Sequence, residues 1–271
     1  NFRSVPMEQL LKEAKELAEG GVKELILVAQ ETTVYGQDIY GEKSLHRLLR
    51  ELCKIDGIQW IRLLYCYPEE IDANLIQVMK EEPKICHYLD LPIQHASDAI
   101  LKKMGRRTSK AQLVDTIRTL REEIPDITLR TTLITGFPGE TEEQHQELVE
   151  FVDEMEFDRL GVFTYSPEEN TPAAEMPDQI PEEVKEARNQ DLLAVVNEIA
   201  IRKNRDLVGT VQEVLLEGSS KTNVARLSGR TSQNKPVMVD AAPDLAGEIL
   251  PIRIEESTGF TLYGVPCPSR G

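Results

Sequence analysis

The stretch ITLRTTLITGFPGET, residues 127–141, decides how the chain is read. Ile127, Leu129 and Leu133 share one phase and Thr128, Arg130 and Thr132 the other. This predicts a strand with one face against a helix layer and the other toward something polar. Pro125 and Asp126 break the chain before the strand, and Gly136-Phe137-Pro138-Gly139 turns it afterwards. Thr141, followed by Glu142 and Glu143, gives the next helix a capped, acidic start.

The same pattern repeats on both sides. Strand-like segments near 24–29, 60–66, 87–93 and 159–165 alternate with helix-period segments near 6–19, 43–54, 69–80, 97–104, 109–122 and 141–155. Such alternation calls for a parallel sheet with crossover helices, an α/β fold. The interior of a purely structural parallel barrel is filled by Val, Ile and Leu. Here Arg62, Asp90, Gln94 and Arg130 take the inward phases. Buried charges need partners, so two readings stand: Arg62, Asp90 and Arg130 satisfy one another, or Arg130 meets an anionic ligand.

The C-terminal strand ends, where barrel enzymes keep their sites, carry Gln30-Glu31-Thr32-Thr33, Tyr65-Cys66-Tyr67-Pro68, Gln94-His95-Ala96-Ser97 and Gly136 to Thr141. Polar groups converging on one rim imply a small-molecule site. Gly136 and Gly139 would let a ligand approach the backbone. His95 is the one histidine at a strand end, read first as a packed residue and second as a general base.

A proline-rich connector, 167–181, leads to a long helix near 182–206 that acts as a hinge. Short strands near 211–216, 223–227, 236–239, 247–254 and 260–263 follow, separated by Gly, Ser and Asn turns. They predict a small closed β-barrel of the nucleic-acid-binding size class. The domains divide as 1–206 and 207–271.

The chain has 31 basic and 47 acidic residues, a formal charge of −16. Six basic and seven acidic residues lie from 207 onward, so the excess acid sits in the first domain. This argues against a broad phosphate-binding surface and for a basic protein partner. No run approaches the roughly 18 apolar residues of a membrane span, and no targeting segment is visible, so no membrane association and a cytoplasmic location are expected. Cys53, Cys66, Cys86 and Cys267 are spaced too widely for a metal knuckle or a disulfide framework. Ser-His-Asp order, a His-Glu metal helix and a Walker-type loop are absent, which points to borrowed cofactor chemistry.

Four ordered segments, LVAQETTVYG (27–36), YLDLPIQHASDAILKKMGRRTS (88–109), LRTTLITGFPGETEE (129–143) and FTYSPEENTPA (163–173), resemble the radical S-adenosylmethionine methylthiotransferase family. The residues after 207 resemble the TRAM domain that closes those enzymes. AQETT and PIQHASD are most similar to the branch that modifies an aspartate of small-subunit ribosomal protein twelve.

The resemblance implies a partial (β/α) radical-SAM barrel of parallel strands, its first strand and CxxxCxxC loop lying outside this sequence, plus a C-terminal all-β TRAM barrel. It implies S-adenosyl-L-methionine and, in the full-length enzyme, two [4Fe-4S] clusters, with none on this chain. By motif, Gln30 and Glu31 fall near the cofactor's amino group, Gln94 and Ser97 near its ribose, Arg130 near its carboxylate, and Gly136 to Glu140 near its adenine. The implied chemistry is reductive cleavage to a 5′-deoxyadenosyl radical that abstracts hydrogen from the aspartate β-carbon, followed by methylthio transfer. The implied partners are a basic ribosomal protein or the small subunit, and an electron donor. Alternative readings are a transfer-RNA methylthiotransferase of the same family and a non-catalytic ribosome-binding adaptor.

Overall fold

A computed structural model describes residues 2–219 and 226–267. Five strands, β1 (Glu24–Leu27), β2 (Trp60–Leu63), β3 (Tyr88–Gln94), β4 (Thr128–Thr135) and β5 (Arg159–Thr164), form an open parallel arc. β1 pairs with β2, and β3, β4 and β5 pair in order; a parallel bridge from Ile61 to Ile85 joins the two groups. α1 (Met7–Glu19) leads into β1, and the crossovers carry α2 (Gln37–Tyr40), α3 (Leu45–Cys53), α4 (Ala73–Glu81), α5 (Asp98–Lys103), α6 (Lys110–Glu123) and α7 (Glu142–Met155). The start anticipated at Thr141 is a full capping box with Gln144, and Ser109 with Gln112 makes another for α6.

The strand phases follow the sequence pattern. Leu129 and Leu133 join Leu25, Ile61, Leu63, Leu89 and Ile93 in one core against the helices. The alternate residues line the concave face, here called the lumen. There Ile26 and Phe163 stay exposed, and Arg130, Thr132 and Ile134 are half-buried. Pro92 interrupts β3, whose pairing with β4 slips between Leu91 and Gln94. The Thr131 hydroxyl repairs the gap, donating to the Leu91 carbonyl at 2.6 Å and accepting from Ile93 N–H at 3.3 Å.

α8 (Glu182–Arg205) leads to a closed barrel of β6 (Val211–Ser219), β7 (Leu227–Thr231), β8 (Pro236–Val239), β9 (Ile249–Ser257) and β10 (Leu262–Pro266). Val214, Leu216, Val237, Val239, Ile252, Ile254 and Leu262 fill it. The strand anticipated at 223–227 lies largely outside the described residues; β7 begins at its last residue.

This small barrel caps the N-terminal ends of the arc. Leu215 and Ile249 pack on Trp60, Cys86 and Tyr88. Arg62, 1% exposed, donates to Glu24 Oε1 at 2.7 Å and to the carbonyls of Ser232 and Thr231 at 2.8 and 3.3 Å. Arg230 Nη2 reaches Glu24 Oε2 at 2.5 Å. Of the two readings, the one in which Arg62, Asp90 and Arg130 satisfy one another is corrected: Arg62 belongs to the interdomain floor with Glu24, and only Asp90 pairs with Arg130. Asn204 at the end of α8 is likewise bonded to Gly259 and Lys235, so the junction is a bonded interface rather than a bare hinge.

Candidate active site

With the floor sealed, the accessible part of the lumen is its C-terminal rim. At the end of β1, Gln30 is exposed, and Glu31 ties two loops together. Glu31 accepts from Thr33 N–H at 2.9 Å and Tyr67 N–H at 2.9 Å, and the Thr33 hydroxyl also donates to it. Burial pushes the Glu31 carboxyl up despite these donors. Gln30 and Glu31 line a largely apolar cavity of about 380 Å³ with Phe2, Val5, Leu27 and Tyr35.

A second cleft of about 370 Å³ spans the ends of β3, β4 and β5, lined by Gln94, Thr132, Ile134, Phe163, Tyr165 and Ser166 among others. Gln94 sits in the left-handed region at φ 72°, and its buried Oε1 has no hydrogen-bond partner among the described residues. Deeper in the lumen, Arg130 Nη1 donates to Asp90 Oδ1 at 2.7 Å. Burial pulls the Arg130 pKa down, but the Asp90 carboxylate more than offsets this and holds it above the ordinary value. Asp90 is 5% and Arg130 31% exposed at the side chain, so the pair is closed off at the carboxylate and only partly covered at the arginine.

The remaining site residues gather behind the rim. Ser97 N–H donates to His95 Nδ1 at 3.0 Å, which places the ring proton on Nε2; that nitrogen donates to Glu140 Oε2 at 2.7 Å. Glu140 Oε1 accepts from Gly136 N–H at 3.0 Å and from Arg188 at 2.8 Å. Burial raises the Glu140 carboxyl, yet His95, Gly136 and Arg188 together bring it below its ordinary value. Both nitrogens of His95 are occupied and the pair is fully buried, so the general-base reading of His95 gives way to a packing role.

The glycine reading also changes. A Cβ on Gly136, φ 70°, would lie 2.3 Å from Lys185 Cγ, and one on Gly139 would lie 2.2 Å from Lys103 Nζ. These glycines admit lysine side chains rather than leaving bare backbone. Lys185 is buried, donating to the Tyr165 carbonyl at 2.9 Å and Glu182 at 2.7 Å. Sequence reading missed Lys185, Arg188 and Arg106. The last stacks 4.6 Å above Tyr67 and donates to the Pro92 carbonyl at 2.6 Å, clamping the rim. The motif GRRT held the signal for Arg106; nothing local marked the other two.

The structure thus brings Gln30 with Glu31, and Gly136 with Glu140 near Ser97, while Gln94 and Arg130 share the lumen side of β3 and β4. The cysteines do not form a ligand set. Cys53, Cys66 and Cys86 are buried, and burial pushes the first up to about 11, the third up to about 12 and Cys66 well above the usual thiol value. Among the described residues no three of His, Cys, Asp and Glu converge on a metal position, and no helix is long and apolar enough to cross a membrane.

The open parallel arc and the closed five-stranded barrel each match a known family. Residues 1–152 match the Radical SAM superfamily and residues 205–266 the TRAM domain. The chain belongs to the radical SAM superfamily.

Among its relatives is the ribosomal protein uS12 methylthiotransferase RimO of Lachnoclostridium phytofermentans, 56% identical over 97% of this chain and 61% of that protein. A tRNA-2-methylthio-N(6)-dimethylallyladenosine synthase of Akkermansia muciniphila is also 56% identical, over 99% of this chain and 59% of that one. Further relatives at 48 to 50% identity carry the RimO name. The chain spans about three-fifths of the length of these relatives. In fold it is similar to coproporphyrinogen III oxidase (HemN) of Escherichia coli, with a TM-score of 0.56 at 16% identity over 84% of this chain and 60% of the other.

Proposed function

We propose that this chain is the substrate-facing barrel and TRAM portion of a methylthiotransferase that modifies an aspartate of ribosomal protein uS12 with S-adenosylmethionine as cofactor. The observation that carries the reading is the lumen. A partly exposed cation, Arg130, shares the lumen side of β3 and β4 with Gln94, whose backbone is left-handed and whose buried carbonyl has no donor among the described residues. Those are complements for the carboxylate and the ribose hydroxyls of the cofactor. Phe163, Ile134 and Tyr165 offer its adenine an apolar surround. In this reading Gln30 and Glu31 stand at the amino-group end, and Ser97, Gly136 and Glu140 shape the rim from behind rather than through their side chains.

When bound and reduced at an iron–sulfur cluster, S-adenosylmethionine supplies radical chemistry and a methyl group. The residues of this chain bind, orient and exclude water. Its cysteines do not suit a cluster, so the two clusters of the proposed full-length enzyme are assigned to residues outside this chain, reduced by an electron donor.

The net charge of −16 favours a basic protein substrate, and a ribosomal substrate goes with a cytoplasmic location. The relative named as a transfer-RNA enzyme, at the same identity, keeps a second reading in play. The test is to incubate full-length reconstituted enzyme and methyl-labelled cofactor with small subunits and transfer RNA together. Label in the uS12 fraction supports the proposal; label in RNA alone transfers the chain to the second reading.

A further inference from the structure

Two neighbouring strand ends are left-handed without glycine: Gln94 at the end of β3, and Tyr65, φ 55°, just beyond β2. A side-chain-bearing residue persists there only where its surroundings over-determine it. At Tyr65 they do. Its carbonyl accepts from Thr32 N–H at 3.0 Å on the β1 side, and the next N–H, of Cys66, donates to the Asp90 carbonyl at 2.9 Å on the β3 side.

The strain does not serve the core. Cys66 beside it is fully buried, whereas Tyr65 is 47% exposed, and its hydroxyl has no hydrogen-bond partner among the described residues. Asp90, whose carbonyl anchors the N–H next to Tyr65, is also the residue that pairs with Arg130, so the strained strand end adjoins that ion pair. It lines neither the cavity at Gln30 and Glu31 nor the cleft at Gln94 and Phe163. Its place after β2, bonded to the β1 side and next to β3, puts it on the rim between those two.

We propose that Tyr65 is a substrate-positioning residue: its phenol, held over the lumen by the strained strand end, donates to the carboxylate of the protein side chain presented for modification. The inference rests on the function proposed above. A short anionic side chain suits a phenol donor beside a cation, and the ring walls the reacting carbon off from water.

The test uses full-length, cluster-loaded enzyme with two variants. Tyr65→Phe removes only the hydroxyl; Tyr65→Gly removes the ring and relieves the strained backbone. One lost hydrogen bond to a charged group corresponds to roughly a tenfold rise in KM for uS12. We expect that rise in Tyr65→Phe, and at least as much in Tyr65→Gly, with the Kd for S-adenosylmethionine within about twofold of wild type and no drop in melting temperature for Tyr65→Gly. A matching loss of cofactor affinity would make Tyr65 a cofactor contact, and a collapsed melt would make it structural; either overturns the proposal. Unchanged KM in both variants, with active wild type, refutes this inference alone. A wild-type enzyme inert toward uS12 refutes the function and this inference together.

Discussion

Replacing Glu24 by Gln probes how firmly the two barrels are joined. The carboxylate of Glu24, 4% exposed, receives Arg62 and Arg230. Breaking a buried ion pair by neutralising one partner costs about 3 to 5 kcal/mol, because a charge is left stranded. Arg230 is the lesser casualty: it is 21% exposed and keeps Glu217 at 2.7 Å. Arg62 has no such escape, but it retains two backbone carbonyls and faces the rings of Tyr88 and Trp60 at 5.1 and 5.9 Å. The lower end of the range, about 3 kcal/mol, is therefore expected. At roughly 2 to 4 °C per kcal/mol for a chain of this size, calorimetry should show the melt lowered by about 6 to 12 °C. Adding Arg62→Met removes the stranded cation and should restore most of the loss, a coupling that a double-mutant cycle measures. A Glu24→Gln variant that melts with wild type, or a double variant worse than the single, would refute the view that this network seals the lumen floor.

Other consequences are as direct. Arg130→Gln should weaken S-adenosylmethionine binding roughly ten- to a hundredfold, at about 1.4 kcal/mol per decade; because it also strips Asp90 of its cation, a modest fall in melting temperature should accompany it, and a melt change with intact affinity would reject the carboxylate role. Glu140 has a lowered pKa, so its contribution to stability is present above its ordinary value of 4.5 and is lost as pH falls through the lower folded value. Glu140→Gln should accordingly destabilise most at neutral pH, with the gap in melting temperature closing in acid; a gap that widens in acid would contradict the assignment. Cys53, Cys66 and Cys86 should resist a thiol reagent at pH 8 in the native protein and all react on unfolding, with Cys267, which is partly exposed, reacting first.

Much of this was legible because strand and helix periods leave separable marks. The phases of Leu129 and Arg130 needed only alternation, and the capped start at Thr141 needed only its neighbours. What could not be read depends on distance along the chain. Arg62 takes its carbonyl partners about 170 residues away, so its inward phase suggested the wrong companions. Glu140 meets His95 across 45 residues and Arg188 across 48, which turned a candidate cofactor contact into a buried node. Gly136 was read as room for a ligand at the backbone, and the group packed where its Cβ would lie is Lys185 of α8, which no local pattern marked. The left-handed conformations of Tyr65 and Gln94 carry no sequence signature, since neither is a residue type that favours them.

Fragment-ion mass spectrometry of uS12 from small subunits treated with the full-length, reconstituted enzyme and S-adenosylmethionine decides whether uS12 is the substrate. One methylthio group is expected, on the β-carbon of a single aspartate and missing when cofactor is omitted. Unmodified uS12 alongside methylthiolated transfer RNA in the same reaction would contradict it.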